Sequence, residues 1–439
     1  MGRAPSPQQG SDAARYSGAA VLERVGELPG GPELLRVAAA RGDVELVGGA
    51  TRDLLLGNRP RELDVVVDTG ADGLARELAD ALGLVGSYAG LRTGAHERFG
   101  TAFLIWDGGC IDAATRRAES YPTPGALPQV RPGTPEEDLL RRDFTVNAIA
   151  VALTGARRGE LRAPEHALQD LAEGRLRVLH ERSFIEDPTR LLRLGRYEAR
   201  LGFALEDATA RLAAEALAQG ALASVSGARV GAELRLALAE PDPVATLAAL
   251  DRLGILAAID RRLGFDEGLA RRALAELPAD GRPDLLLLSS LLIAAGQDSG
   301  ADRAGLTALL DELEFPAPDR DRIVSGALMA PALASRIGAL ARPSQLYREL
   351  QPAPLEAVAL AAASDASGGT AATEAARRWL SELRNVRTRI TGDDLIAAGV
   401  PAGPEIGRRL ALVRDLRLDG ELDDTREAQL QAALAAPAR

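Results

Sequence analysis

Glu62 and Asp64 stand two residues apart at the head of the apolar run LDVVVD. On a strand, both carboxylates would project from one face. Neighbouring carboxylates repel, so such a pair is either a solvated acidic edge or a place for a cation. What precedes them favours the cation. VELVGGATRDLLLG (44–57) reads as a strand, a Gly48-Gly49 turn and a short helix closed by Gly57. Amides bared at such a turn and the positive helix end attract phosphate, and Arg52 adds a second grip. Mg²⁺ is the hard ion suited to one or two carboxylates plus substrate phosphates. Asp112, in the strand-like run CIDAAT (110–115), is a third acid that can lie beside the pair, the cluster that two-metal phosphoryl transfer wants. Asp68 shares their parity but borders a turn, and reads as a strand-end acid.

Two further stretches carry arginine. In LLRRDFTVNAIAVAL (139–153), Arg141, Arg142 and Asp143 precede an apolar run that reads as helical. Asn147 then shares a helical face with Asp143. The pair either caps a helix or hydrogen-bonds sugar hydroxyls while Arg142 holds phosphate. In IEDPTRLLRLGRYEARLGF (185–203), Glu186 and Asp187 are capping acids ahead of Pro188. Arg190, Arg193, Arg196 and Arg200 follow at helical spacing on one face, and leucines with Tyr197 cover the others. Alone, this is an arginine ridge paired with a neighbouring helix. Beside a phosphate site, an Asp and an Arg at a helix start can read a base edge, the carboxylate accepting from an exocyclic amine and the guanidinium donating to ring nitrogen or carbonyl.

These residues sit in a chain of 439 residues, enough for two to four domains. Residues 1–20 lack an apolar core and read as a disordered leader rather than a signal peptide. From Val44 to about Ala150 the pattern is mixed α/β, with strands also at 101–107 and a helix at 73–84. From about Glu165 onward, Ala/Leu/Arg/Glu segments of helical period dominate and no strand is expected. Joints are expected near 275–283, 316–319 and 364–370. No 18-residue apolar run free of charge occurs, so no transmembrane helix is expected. One cysteine without a secretion signal points to a reducing cytoplasm.

The 52 basic residues are all arginine, which excludes Schiff-base, P-loop and kinase-like lysine chemistry. A single Cys and three His exclude disulfide frameworks and zinc ribbons. The formal charge of −11 argues against indiscriminate coating of DNA, though not against a nucleic acid held by a local arginine stripe.

Taken together, GGATRDLLLG with ELD, EEDLLRRDFTVNAIA and EDPTRLLRLGRYEARLGF stand in the order and spacing of a known family. The sequence resembles the class II tRNA nucleotidyltransferases, the CCA-adding enzymes in the bacterial poly(A) polymerase branch of the polymerase-β-like superfamily. HERFGTAFLI (96–105), ALPQVRPGTPEEDL (126–139) and GDDLIAAGVPAGPEIGRRL (392–410) are also similar to it. The resemblance implies an α+β protein, with a polymerase-β-like nucleotidyltransferase head on a mixed sheet (21–155). A neck with the base-reading helix (156–220), a helical body (221–340) and a helical tail that binds tRNA (341–439) would follow. It implies that Gly48, Gly49 and Arg52 contact nucleotide phosphates, and that Glu62, Asp64 and Asp112 hold Mg²⁺. Arg142 would contact the nucleotide, with Asp143 and Asn147 near its ribose. Asp187, Arg190, Arg193 and Arg196 would form the template that selects C or A, with Glu186 also binding the nucleotide. The implied reaction is attack of a tRNA 3′-hydroxyl on CTP or ATP with release of pyrophosphate. CC-only, A-only and poly(A) addition share this chemistry, and a non-catalytic RNA-binding relic is the reading from another class. Two departures stand out: Glu62 replaces the usual Asp, and 162–179 lacks the usual Asp-Pro-x-Gly-Gly start.

Overall fold

The strand-like runs of the N-terminal half come together as one mixed sheet. The computed structural model describes residues 16–84, 92–96, 100–299 and 302–437, the side chains of 92–96 and 294–299 excepted. The chain forms two compact units, Met1–Val225 and Ser226–Arg439. In the first unit the strands are β1 (Glu45–Val47), β2 (Leu63–Val67), β3 (Arg92–His96), β4 (Thr101–Trp106), β5 (Gly109–Thr115), β6 (Arg117–Ser120), β7 (Gln129–Pro132), β8 (Ala150–Ala152) and β9 (Leu161–Arg162). The main sheet runs β3-β4-β5-β2-β1-β8-β9, and β6 and β7 form a separate hairpin. β2 pairs parallel with β5, while the other pairs of the sheet are antiparallel. Leu46, Val65, Val67, Leu104 and Ile111 are buried on this sheet.

Helices α1 (Gly18–Gly26), α3 (Gly48–Leu56) and α4 (Ala71–Ala81) pack with these strands, and α2 (Gly31–Arg41) packs with α1 and α4. They are followed by α5 (Pro135–Leu140), α6 (Ala167–Glu173), α7 (Ser183–Glu186), α8 (Thr189–Leu201) and α9 (Asp207–Ala218). Residues 17–20, which the expected disordered leader (1–20) included, are ordered. Ser17 caps α1 by accepting from the Ala20 amide, and Val21 and Val25, one turn apart, are buried. Residues 1–15 of that leader lie outside the described residues, as do residues 97–99 of the HERFGTAFLI motif.

The helical expectation after Asp143 is corrected. Thr145–Asn147 makes one 3₁₀ turn, and Ala150–Ala152 becomes the strand β8 against β1. A short apolar run such as AIAVAL does not fix its own period, and the open edge of β1 decides for the strand. Two short strands also occur beyond Glu165: β10 (Arg175–Leu176) pairs parallel with β11 (Ala204–Leu205).

Every regular element among the described residues of the second unit is a helix. Its helix Leu355–Ala363 is buried on every side from Glu356 onward, as an Ala/Val/Leu helix without a polar face must be. Glu356 itself is satisfied by Arg322 at 2.9 Å and by the amide of Arg282 at 2.8 Å. Near the C-terminus, Ile390, Leu395, Val400, Val413 and Ala433 form a separate cluster. The segments 277–282 and 364–370 are helix joints, as the prolines and glycines there predict, while the joint expected at 316–319 lies at 313–316 and residues 317–319 open the helix Ala317–Arg336. No described helix is long and apolar enough to cross a membrane.

Candidate active site

The parallel pairing of β2 with β5 sets Asp64 directly opposite Asp112. Glu62 lies one residue ahead of β2 rather than on it, and is exposed. The three nevertheless converge: each offers a carboxylate oxygen, and these oxygens lie within 4.8 Å of one another. Oxygen donors at this spacing are the chemistry of a hard cation, and the cluster is a candidate metal site.

Electrostatics says the same. Burial, then the charges of Glu62 and Asp112, push the Asp64 carboxyl up to about 7, against the pull of Arg142 and the amide of Ala50. Burial and the Asp112 charge raise Glu62. Burial also raises Asp112, against a hydrogen bond from the Cys110 thiol. That thiol lies 3.9 Å from Asp112, and burial with the surrounding carboxylates pushes it up to about 12. These carboxylates hold their negative charge at a cost that a cation would remove.

This gives a pH prediction. The Asp64 carboxyl titrates near 7 in the folded protein and near 3.8 when unfolded. Its protonation therefore favours the folded state fully below the lower value, and that contribution is lost as the pH rises towards 7. Without divalent ions, the melting temperature should fall between pH 4 and 7 by more than that of Asp64→Asn. The thermal upshift on adding a divalent ion should be larger at pH 8 than at pH 6. Equal upshifts at both pH values would contradict the site.

The start of helix α3 lies against this cluster. Gly48 sits at φ +69°, and a Cβ there would lie 2.9 Å from the Arg142 guanidinium and 3.7 Å from Asp64. Glycine is needed because the backbone approaches both groups and adopts the left-handed conformation. Gly57 closes α3 at φ +82°.

Arg142 is held in place by a residue that sequence reasoning missed. Asp138, buried in α5, takes Arg142 at 3.0 Å on one oxygen and Arg141 at 2.8 Å on the other, and the burden of burial is outweighed so that its carboxyl stays low. Arg141 also bonds Glu119 at 3.1 Å, and its carbonyl accepts from Arg190 at 2.5 Å. In sequence, Asp138 is one of three acids in the first turn of a helix, and nothing local marks it from Glu136 and Glu137.

Several candidate residues are turned inward. Arg52 is 1% exposed, with Nε 2.8 Å from Asp53 and Nη1 bonded to the Asn147 side-chain oxygen. The Asn147 amide nitrogen donates to Asp143 at 3.0 Å. The Asp143 carboxylate also accepts from the Phe144 amide and pairs with Arg193 at 2.7 Å. Burial would raise that carboxyl, but Arg193 and Asn147 together hold it down at about 2. The expected Asp143–Asn147 contact therefore exists, on a 3₁₀ turn instead of a helix, and it ties the turn to α3 and α8. Arg190 is buried as well, donating to Ser183 Oγ at 2.7 Å. The single arginine face expected on α8 thus divides: Arg190 engages α7, Arg193 the Asp143 turn, and Arg200 lies 3.4 Å from Asp53 of α3. Arg196 and Glu186 are half-buried, as is Asp187, which caps α8 by accepting from the Thr189 hydroxyl and amide.

A metal-type acid cluster on a mixed sheet, against a glycine-started helix and an Arg-Arg-Asp turn, defines a nucleotidyltransferase-type head. Residues 44–177 match the model of the poly A polymerase head domain. The chain is 34% identical to a CC-adding tRNA nucleotidyltransferase of Deinococcus radiodurans, over 92% of this chain and 93% of that protein. It is also 34% identical to an A-adding tRNA nucleotidyltransferase of Geobacter sulfurreducens, over 89% of this chain. The chain spans about half or less of the length of the A-adding relatives it matches, 45% in that case. Among solved structures, the Thermotoga maritima CCA-adding enzyme complexed with tRNA_CCA superposes with a TM-score of 0.75 at 25% identity, covering 95% of this chain and 98% of that one. The chain belongs to the tRNA nucleotidyltransferase family.

Proposed function

We propose that this protein is a template-independent RNA nucleotidyltransferase that adds C, A or both to the 3′ end of tRNA from CTP and ATP. The observation that carries the reading is the convergence of Glu62, Asp64 and Asp112 beside Arg142 and the start of α3. Mg²⁺ suits this donor set, and when bound it supplies positive charge to the triphosphate. The tRNA 3′-oxygen attacks the α-phosphorus in line, the bond to the β-phosphate oxygen breaks, pyrophosphate leaves and the hydroxyl proton passes to solvent. Arg142 neutralises phosphate charge beside Gly48 and Gly49, while Asp187 with Arg193 and Arg196 of α8 faces the incoming base. Arg52, Asn147, Asp143 and Arg190 serve from behind, by holding these groups in register. The first unit carries head and neck, and the second carries the body and tail that bind the tRNA acceptor arm. Both relatives named above act on tRNA, which supports a cytoplasmic tRNA-processing role for this chain.

The test is incorporation of labelled CTP and ATP, separately and together, into tRNA ending at the discriminator base, at C and at CC. Extension from all three ends marks CCA addition. Extension only to CC, or only from CC, marks a specialist, and no metal-dependent extension of any end refutes the proposal. A second prediction concerns Asp138. Asp138→Asn keeps the shape of the side chain but removes the charge that both Arg141 and Arg142 bond. A lost charge-assisted hydrogen bond is worth about 1.5–3 kcal/mol, so KM for both nucleotides should rise about tenfold or more. Steady-state kinetics with saturating tRNA decide it.

A further inference from the structure

Tyr197 belongs to none of the groups discussed so far, yet three of them meet on its ring. The Arg52 guanidinium of α3 lies 5.4 Å from the ring centroid, and the Arg193 guanidinium of α8 lies at the same 5.4 Å. Phe144, at the start of the 3₁₀ turn, meets the ring edge-on at 5.7 Å and 80°. The Tyr197 hydroxyl accepts from Arg193 Nη2 at 3.1 Å. Arg193 is thus held by the Asp143 carboxylate, the Tyr197 hydroxyl and the face of the Tyr197 ring.

We propose that Tyr197 is a specificity-positioning residue, fixing Arg193 of the base-reading helix relative to the helix that carries the phosphate turn. The inference rests on the proposed nucleotidyltransferase reading and deepens it. A guanidinium reads a base only if its donor plane is fixed, since a few tenths of an ångström separate a hydrogen bond from none. Asp143 sets one edge of that plane, and its own position depends on Asn147 and, through it, on Arg52. Tyr197 touches both ends of this chain. It therefore couples where the triphosphate sits to how the base is read, without touching substrate itself.

The experiment compares Tyr197→Phe and Tyr197→Leu with the parent protein, using CTP and ATP on tRNA ending at C and at CC. Phe keeps the ring and removes only the acceptor for Arg193. The expected result is a KM for the correct nucleotide raised about tenfold or more, the loss of one charge-assisted bond. Misincorporation of the other nucleotide should rise with it, while kcat stays within about twofold and the melting temperature is nearly unchanged. Leu removes the ring as well, and selectivity should fall further. The proposal is overturned if the parent extends tRNA and Tyr197→Phe leaves KM and misincorporation unchanged. It is also overturned if Tyr197→Phe lowers kcat and melting temperature together at constant selectivity, the behaviour of a packing residue. If the parent extends no tRNA, the functional reading fails instead, and the two failures are told apart.

Discussion

Replacing Asp64 by Asn should lower kcat by at least about 10³-fold while leaving tRNA affinity within about twofold. Asp64 is the innermost of the three acids and the one that the other two charges bear on most. Asn offers one neutral oxygen where the carboxylate offers two charged ones, so the cluster loses one of its three negative charges and one carboxylate oxygen. The tRNA is held elsewhere in this reading, so its binding should not respond. Glu62→Gln should cost less, because Glu62 is exposed and sits off the end of β2 on a longer side chain. Single-turnover extension of tRNA ending at CC, with a parallel filter-binding measurement, separates the two effects. Full activity in Asp64→Asn would remove the metal assignment, and equal losses of activity and tRNA binding would place Asp64 in an RNA contact.

The head was legible in the sequence wherever local rules act alone. Gly48 and Gly57 bracket α3 because the backbone there adopts the left-handed conformation, and the Glu-x-Asp at the start of the Leu/Val strand β2 brings Glu62 and Asp64 together, although Glu62 lies one residue outside the strand. The resemblance added the roles, and the register of β2 on β5 then set Asp112 against Asp64. That register is decided by tertiary pairing, so the sequence offered Asp112 only as a candidate. What escaped the reading were the residues that act through others. Asp138 looks like any first-turn acid until Arg141 and Arg142 fold back onto it, and Asp53 looks like an exposed helix residue until α8 brings Arg200 to it. Tyr197 reads as packing, which it is, but the atoms that it packs are guanidinium groups. The failure over 148–153 has one physical cause: a six-residue apolar run satisfies strand and helix alike, and the vacant edge of β1 was not visible.

Arg52 is where the sequence reading and the geometry differ most in consequence. As a phosphate ligand, Arg52 would be exposed and its loss would weaken nucleotide binding with little effect on stability. As found, it is one of the largest fully buried side chains, bonded to Asp53 and Asn147 and stacked on Tyr197. Arg52→Met keeps the volume but leaves Asp53 buried with only the longer contact to Arg200, and leaves the Asn147 oxygen without its donor. Breaking a buried ion pair from one side costs about 3–5 kcal/mol, because the abandoned charge stays desolvated. The midpoint of urea unfolding should fall accordingly. Arg52→Met with Asp53→Asn should recover part of the loss, since the second change removes the stranded charge, and this recovery is the sharper check. A normal unfolding midpoint in Arg52→Met, joined to a large rise in KM for both nucleotides, would return Arg52 to the phosphates. A lowered midpoint that the second substitution raises again would fix its role as the buried strut between α3, the Asp143 turn and α8.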